Sequence, residues 1–187
     1  MEILGQKTLW EGDYLKALLI TFRDRDGVVR TWEAVGRVNC AGVVIVVPVT
    51  ESGEVVFIRQ FRPVVGRHVI EFPAGLMSEG EEPAQAGLRE LIEETGHAAR
   101  DLAALTRGAI STGINAEVWT VLLATGVEEA PAEVRRAHPP DEAERIEVIK
   151  APLEGAYEAL ERLGSNGDYV DIKIYGLIEL AKRRMGR

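Results

Sequence analysis

The sequence predicts an α+β fold or mixed-sheet sandwich, and three observations carry that expectation. Valine-rich, strand-like runs fill the first half, one helical stretch follows residue 82, and further strand pattern gives way to two amphipathic helical stretches. That order lacks the strict alternation of a doubly wound parallel sheet. The 187 residues are the length of one domain and can bury a proper core. No repeat, low-complexity tract or linker divides them, so residues 1–187 are expected to form a single domain.

The strands come first. Ala17 to Asp24 and Val28 to Val35 flank Arg25-Asp26-Gly27, a turn suited to a hairpin. Gly42 to Val49 (GVVIVVPV) is apolar enough to be buried on both faces, and Glu51-Ser52-Gly53 turns the chain into the strand Glu54 to Phe61. Pro83 is placed to open a helix over Ala84 to Glu94, with Ala84, Leu88, Leu91 and Ile92 at helical spacing and Gly96 as its stop. Glu117 to Ala124 and Arg145 to Ile149 read as strands separated by a Pro- and charge-rich loop, Glu128 to Ala143. Leu153 to Leu163 and Tyr169 to Arg184 read as helices on either side of Gly164-Ser165-Asn166-Gly167. Lys182, Arg183 and Arg184 complement the negative end of the second helix.

Composition narrows the function classes. Thirty acidic residues against 22 basic ones give a net charge of -8, which argues against nucleic acid as a partner. A bound divalent cation can still reverse the local field for a small phosphorylated ligand. Cys40 is the single cysteine, so no intrachain disulfide forms, which fits a cytoplasmic setting. No apolar run approaches the roughly 18 residues that span a bilayer, and the first 20 residues lack a signal pattern, so no membrane association is expected.

Seven glutamates (71, 79, 81, 82, 90, 93 and 94) but one cation, Arg89, lie between Glu71 and Glu94. On a helix Glu90 and Glu94 project from one face, with Glu93 a neighbour, and their like charges repel unless something positive sits between them. A hard divalent cation with oxygen ligands is the natural counter-ion, and Mg²⁺ suits a site shared with a substrate phosphate. An acidic helix is otherwise a solvated surface. The spacing decides between the two. Gly75, Glu81, Arg89, Glu90, Leu91, Glu93, Glu94 and Gly96 fit G-x5-E-x7-R-E-U-x-E-E-x-G-U, where U is a bulky apolar residue. This resembles the Nudix box, the loop-helix-loop of hydrolases that act on a nucleoside diphosphate linked to another group. His97 stands at the last position, where an apolar residue is usual; a structural role is expected for it.

Arg30-Thr31-Trp32-Glu33, Arg59-Gln60-Phe61-Arg62-Pro63 and Glu71-Phe72-Pro73-Ala74-Gly75-Leu76 extend the likeness to the ADP-ribose and ADP-sugar pyrophosphatase branch. With Glu144-Arg145-Ile146-Glu147-Val148 it covers roughly residues 10 to 150. The resemblance implies the Nudix fold, a mixed β-sheet sandwiched between helices (α/β/α). It also implies a homodimer built through an N-terminal antiparallel sheet, with residues 1–38 as an N-terminal β-hairpin region and 39–187 as the core.

The resemblance also distributes roles. Glu90 and Glu94 would be the main Mg²⁺ ligands, with the Ala74 carbonyl as another oxygen, Glu93 as a nearby ligand or base, and Mn²⁺ as an alternative ion. Arg89 would hold the glutamates by charge-assisted hydrogen bonds. Glu144, in the acidic loop before a strand, is the first choice for general base and Glu93 the alternative. Arg62 and Arg37 are candidates to grip phosphates, because guanidinium matches phosphate in a bidentate way. Trp32 and Trp10 match the aromatics that stack adenine, one from each subunit, and Glu33 could accept a hydrogen bond from the base. Trp119 reads as core. Thr112 stands where ADP-ribose pyrophosphatases commonly carry a proline, about 16 residues beyond the box, although the neighbouring Gly113 matches. That departure leaves room for other nucleoside diphosphate sugars, GDP-mannose among them. A non-catalytic nucleotide-sugar regulator is the rival from another class; such domains usually lose box glutamates, and here all are present.

Overall fold

The computed structural model describes residues 1–140 and 145–187. The chain opens with β1 (Glu2–Glu11), β2 (Leu15–Arg23) and β3 (Val29–Arg37), an antiparallel sheet in that order. The expected hairpin is β2–β3. Asp24 closes its turn by accepting the backbone N–H groups of Asp26 and Val28 at 2.9 Å, and Gly27 takes the positive φ the turn requires. β1 adds a third strand that the hairpin reading did not contain.

A mixed sheet of nine strands follows: β4 (Gly42–Thr50), β5 (Glu54–Arg62), β6 (Arg67–Glu71), β7 (Ala74–Met77), β8 (His97–Ala98), β9 (Asp101–Ala109), β10 (Val118–Glu129), β11 (Ile146–Pro152) and β12 (Tyr169–Val170). The helices are α1 (Pro83–Thr95), α2 (Ala132–Ala137), α3 (Ala156–Ser165) and α4 (Lys173–Arg184). β4 runs parallel to β10, with Val43 opposite Trp119 and Val49 opposite Thr125. On its other side β4 changes partners along its length. Its start pairs with β7, Gly42 to Ile45 against Met77 to Ala74, whereas its end meets β5 at Val49 and Val55. The sheet therefore splays open beside β7, and the loop leading into α1 leaves from that opening.

β4 is buried on both faces, as its valine content requires. Val44 and Val46 face α1, while Ile45, Val47 and Val49 join Phe57, Ile70, Phe72 and the inner faces of α3 and α4. Helices thus cover both sides of the sheet. Gly87 is where α1 comes nearest: a Cβ there would lie 2.6 Å from Leu122 Cδ1 and 3.3 Å from Val46 Cγ2. Gly87→Ala overpacks this contact and is expected to cost about 1–3 kcal/mol. Thermal unfolding should show it as a fall of roughly 2–4 °C per kcal/mol; an unchanged midpoint would mean that the helix can ride outward freely.

Three readings of the sequence need correction. Ala84 is exposed, and Ala86 and Gly87 instead share the buried stripe of α1 with Leu91 and Ile92. Helix does not begin at Tyr169, because Tyr169 and Val170 extend the sheet beside Val69 and Ile70 and the Asp171 N–H donates to Ile70 O. The charged loop after Glu128 contains α2, and β10 runs on to Glu129. Among the described residues, no helix is long and apolar enough to cross a membrane.

Candidate active site

The acidic segment folds around Arg89. Gly80 (φ 79°) turns the chain before α1, and Glu81 closes the turn by accepting the Ser78 N–H at 2.9 Å. Pro83 opens the helix and Gly96 (φ 70°) ends it, its N–H donating to Ile92 O. Between them Arg89 donates to Glu81 Oε1 (3.1 Å), Glu90 Oε1 (2.7 Å), Glu93 Oε2 (3.1 Å) and the Leu76 carbonyl (3.0 Å). The planar guanidinium serves as a hub no lysine could match. The bond to Glu81 is the largest influence holding Arg89 charged well above its ordinary range, and the same bond draws Glu81 below the usual carboxylate range.

Glu94 is buried, and its Oε2 accepts the Ala74 N–H at 2.9 Å. Glu90 lies against Gly75 so closely that a Cβ there would be 1.8 Å from Oε1. The backbone at Ala74 and Gly75 is thus brought against both carboxylates, with Glu93 on the adjoining face of α1. Among the described residues, no three carboxylate, histidine or cysteine side chains already form a metal cage, and Arg89 bridges Glu90 and Glu93. The donor set nonetheless fits a hard divalent cation: it is all oxygen, it is crowded with negative charge, and Gly75 leaves it space.

These groups line a cleft of about 560 Å³. Arg37 and Arg62 line it too, each tied to a carboxylate: Arg37 Nε to Glu117 Oε1 at 2.7 Å and Arg62 Nε to Glu71 Oε2 at 2.6 Å. The lining carboxylates Glu71, Glu90, Glu93, Glu94 and Asp171 outnumber the cations Arg37, Arg62, Arg89 and Lys173. A pyrophosphate therefore meets no net positive field from these side chains alone, which is the electrostatic case for a bound cation.

The NUDIX domain profile matches residues 39–163, two thirds of the chain. The chain belongs to the Nudix family. It is 31% identical to the ADP-sugar pyrophosphatase of Mus musculus over 182 residues, covering 92% of this chain and 84% of that one. It is 34% identical to the ADP-ribose pyrophosphatase of Bacillus subtilis over 163 residues, 86% of each. A crystal structure of an ADP compounds hydrolase shares its fold with a TM-score of 0.77 over 98% of this chain and 93% of that one, at 20% identity.

In this Nudix protein seven of the expected site residues, Arg37, Arg62, Ala74, Arg89, Glu90, Glu93 and Glu94, share one cleft. Trp10, Trp32 and Glu33 stand apart on the N-terminal sheet. Trp10 is 61% exposed and Trp32 53% exposed, the latter donating its indole N–H to Gly113 O at 3.0 Å. Glu144 lies outside the described residues. His97, at the last box position, is buried, and its Nδ1 is 2.8 Å from Thr95 O, a bond that only the Nδ1-protonated ring can donate. Burial pushes its pKa down, in keeping with a structural role. Trp119, read as core, packs half-buried against the main core and also lines the cleft. Sequence reasoning also missed Tyr14, Asp171 and Lys173. A tail without a motif gave no signal for the last two, and Tyr14 lies in a short connection between strands that no pattern marks.

Proposed function

We propose that this Nudix hydrolase cleaves the pyrophosphate of ADP-ribose or a related nucleoside diphosphate sugar to a nucleoside monophosphate and a sugar phosphate. The observation that carries this reading is that the Arg89-centred carboxylates open on the same cleft as Arg37 and Arg62. The names of the mouse and B. subtilis relatives point the same way. Glu90, Glu94 and the Ala74 carbonyl, with Glu93 beside them, would hold Mg²⁺, or Mn²⁺ in its place. When bound, such an ion neutralises phosphate charge and lowers the pKa of a water molecule.

The chain's own residues supply the rest. Arg89 keeps Glu90 and Glu93 aimed into the cleft. Arg62 and Arg37 turn part of their hydrogen bonding from Glu71 and Glu117 to the phosphates as charge develops on them. Glu144, or Glu93 in its place, takes the proton of the water that attacks phosphorus in line. Trp32 and Glu33 hold the base together with Trp10 of a second copy. The exposed Ile3, Leu9 and Trp10 of β1 are the surface that a homodimer would cover, with residues 1–38 as its arm and 39–187 as the core. A single cysteine suits the cytoplasm.

Incubation with Mg²⁺ and ADP-ribose, ADP-glucose, GDP-mannose, UDP-glucose or NADH, followed by chromatography, tests the reading. ADP-ribose is expected to give AMP and ribose 5-phosphate. Tight binding of one compound without cleavage of any would favour a nucleotide-sugar regulator. Glu144→Gln is expected to lower kcat by about 10²–10⁴-fold; a loss below tenfold would move the base to Glu93.

A further inference from the structure

The cleft wall also holds a cluster that the hydrolytic machinery leaves unused. Lys173, the first residue of α4, sends its ammonium to within 2.5 Å of Asp171 Oδ2 and 5.1 Å of the centre of the Trp119 ring. Both neighbours are fixed. The Trp119 indole N–H donates to Glu117 Oε2 at 2.9 Å, and the other oxygen of Glu117 takes Arg37. Asp171 donates its N–H to Ile70 O at 3.0 Å, and its Oδ1 accepts the Lys173 N–H at 3.0 Å. An ammonium has three donors. Asp171 is its ion-pair partner and the Trp119 face its aromatic neighbour, and among the described residues no second carboxylate pairs with it. Val43 pairs across the sheet with Trp119, and with Ile45, Phe72 and Leu177 it gives the cleft apolar lining.

The chemistry here selects its ligand. Neighbouring hydroxyls of a polyhydroxylated ring can accept from the ammonium and donate to the free lone pairs of Asp171, while the C–H face of the ring covers the apolar floor. A phosphate gains little here, because Asp171 already balances the Lys173 charge. On the proposed function the base stacks elsewhere, on the N-terminal sheet. A diphosphate lying at Glu90 and Glu94 therefore leaves its sugar end for this part of the cleft. We infer that Lys173 and Asp171, held beside Trp119, form the subsite for the terminal sugar of the substrate. The inference rests on the proposed function, whose failure is read separately.

Dissociation constants of ADP-ribose and ADP are measured by calorimetry in a Glu94→Gln background, where turnover is suppressed, with and without Lys173→Met. ADP-ribose should bind more tightly than ADP to the parent. Lys173→Met should weaken ADP-ribose by about tenfold or more, as expected for loss of a charged hydrogen bond, and leave ADP within about twofold. Lys173→Arg should restore most of the difference, which separates recognition from folding. An equal loss for both ligands, no loss for ADP-ribose, or a parent that binds ADP-ribose no better than ADP overturns the assignment. Turnover of the wild-type chain is followed alongside: sugar-selective binding through Lys173 without cleavage keeps the subsite and removes the hydrolase reading.

Discussion

If Glu94 holds the ion as proposed, Glu94→Gln is expected to lower kcat at saturating Mg²⁺ on the order of 10³-fold, because losing one charged oxygen ligand forfeits several kcal/mol of transition-state stabilisation. The substitution is nearly isosteric, and the amide oxygen can still accept the Ala74 N–H that now reaches Oε2 at 2.9 Å. What disappears is a negative charge, in a place where Glu90, Glu93 and Glu94 crowd one end of α1. Arg89 answers Glu90 and Glu93 directly, at 2.7 and 3.1 Å. Removing a like charge from such a group relieves repulsion, so the thermal midpoint should stay level or rise. The two measurements together make the claim sharp. Steady-state turnover across a Mg²⁺ titration gives the first and a melting curve the second. A variant that keeps turnover within threefold of the wild type places the metal elsewhere, whereas one that loses activity and melts far earlier shows only that the helix needs its carboxylate.

How much of this was legible in the sequence depends on the range over which each feature is determined. α1 could be read because its signals are local: Pro83, a run of helix formers and Gly96 lie within 14 residues, and the structure places the helix at Pro83–Thr95. The carboxylate constellation was legible for the same reason, since fixed spacing along one helix fixes which side chains share a face. β4 announced itself through valines that both its neighbouring layers bury. By contrast β1 is exposed along its whole length and owes its conformation to pairing with β2, which no amphipathic pattern records. β9 is similar, a largely exposed strand held by β10. Tyr169 and Val170 joined the tail helix on paper because apolar spacing is ambiguous over two residues; pairing with β6 decides the matter. Lys173 and Trp119 reach the cleft from positions well beyond the box, Lys173 through the packing of α4 against the sheet and Trp119 from the start of β10.

Gly75→Ala is expected to separate activity from stability more cleanly than any change to a charged residue. The added methyl would fall 1.8 Å from Glu90 Oε1 and 1.9 Å from its Cδ, far inside contact distance. Gly75 shows no positive φ, so alanine suits its backbone and the conflict is with a side chain alone. A side-chain tip can swing away, and the stability change should therefore stay within about 1 kcal/mol, with reduced freedom of the unfolded chain offsetting part of it. For Glu90 the consequence is severe. Its carboxylate must leave the backbone at the start of β7 and with it the 2.7 Å bond from Arg89. Since misplacing a catalytic group by about 1 Å can cost 10²-fold, kcat should fall at least that far. Raising Mg²⁺ should recover little of the loss, because the proposed ligand is displaced rather than weakened. Wild-type turnover in Gly75→Ala would show that Glu90 acts from a different position, while a large drop in melting temperature would show that the β7 backbone, not the carboxylate, requires the glycine.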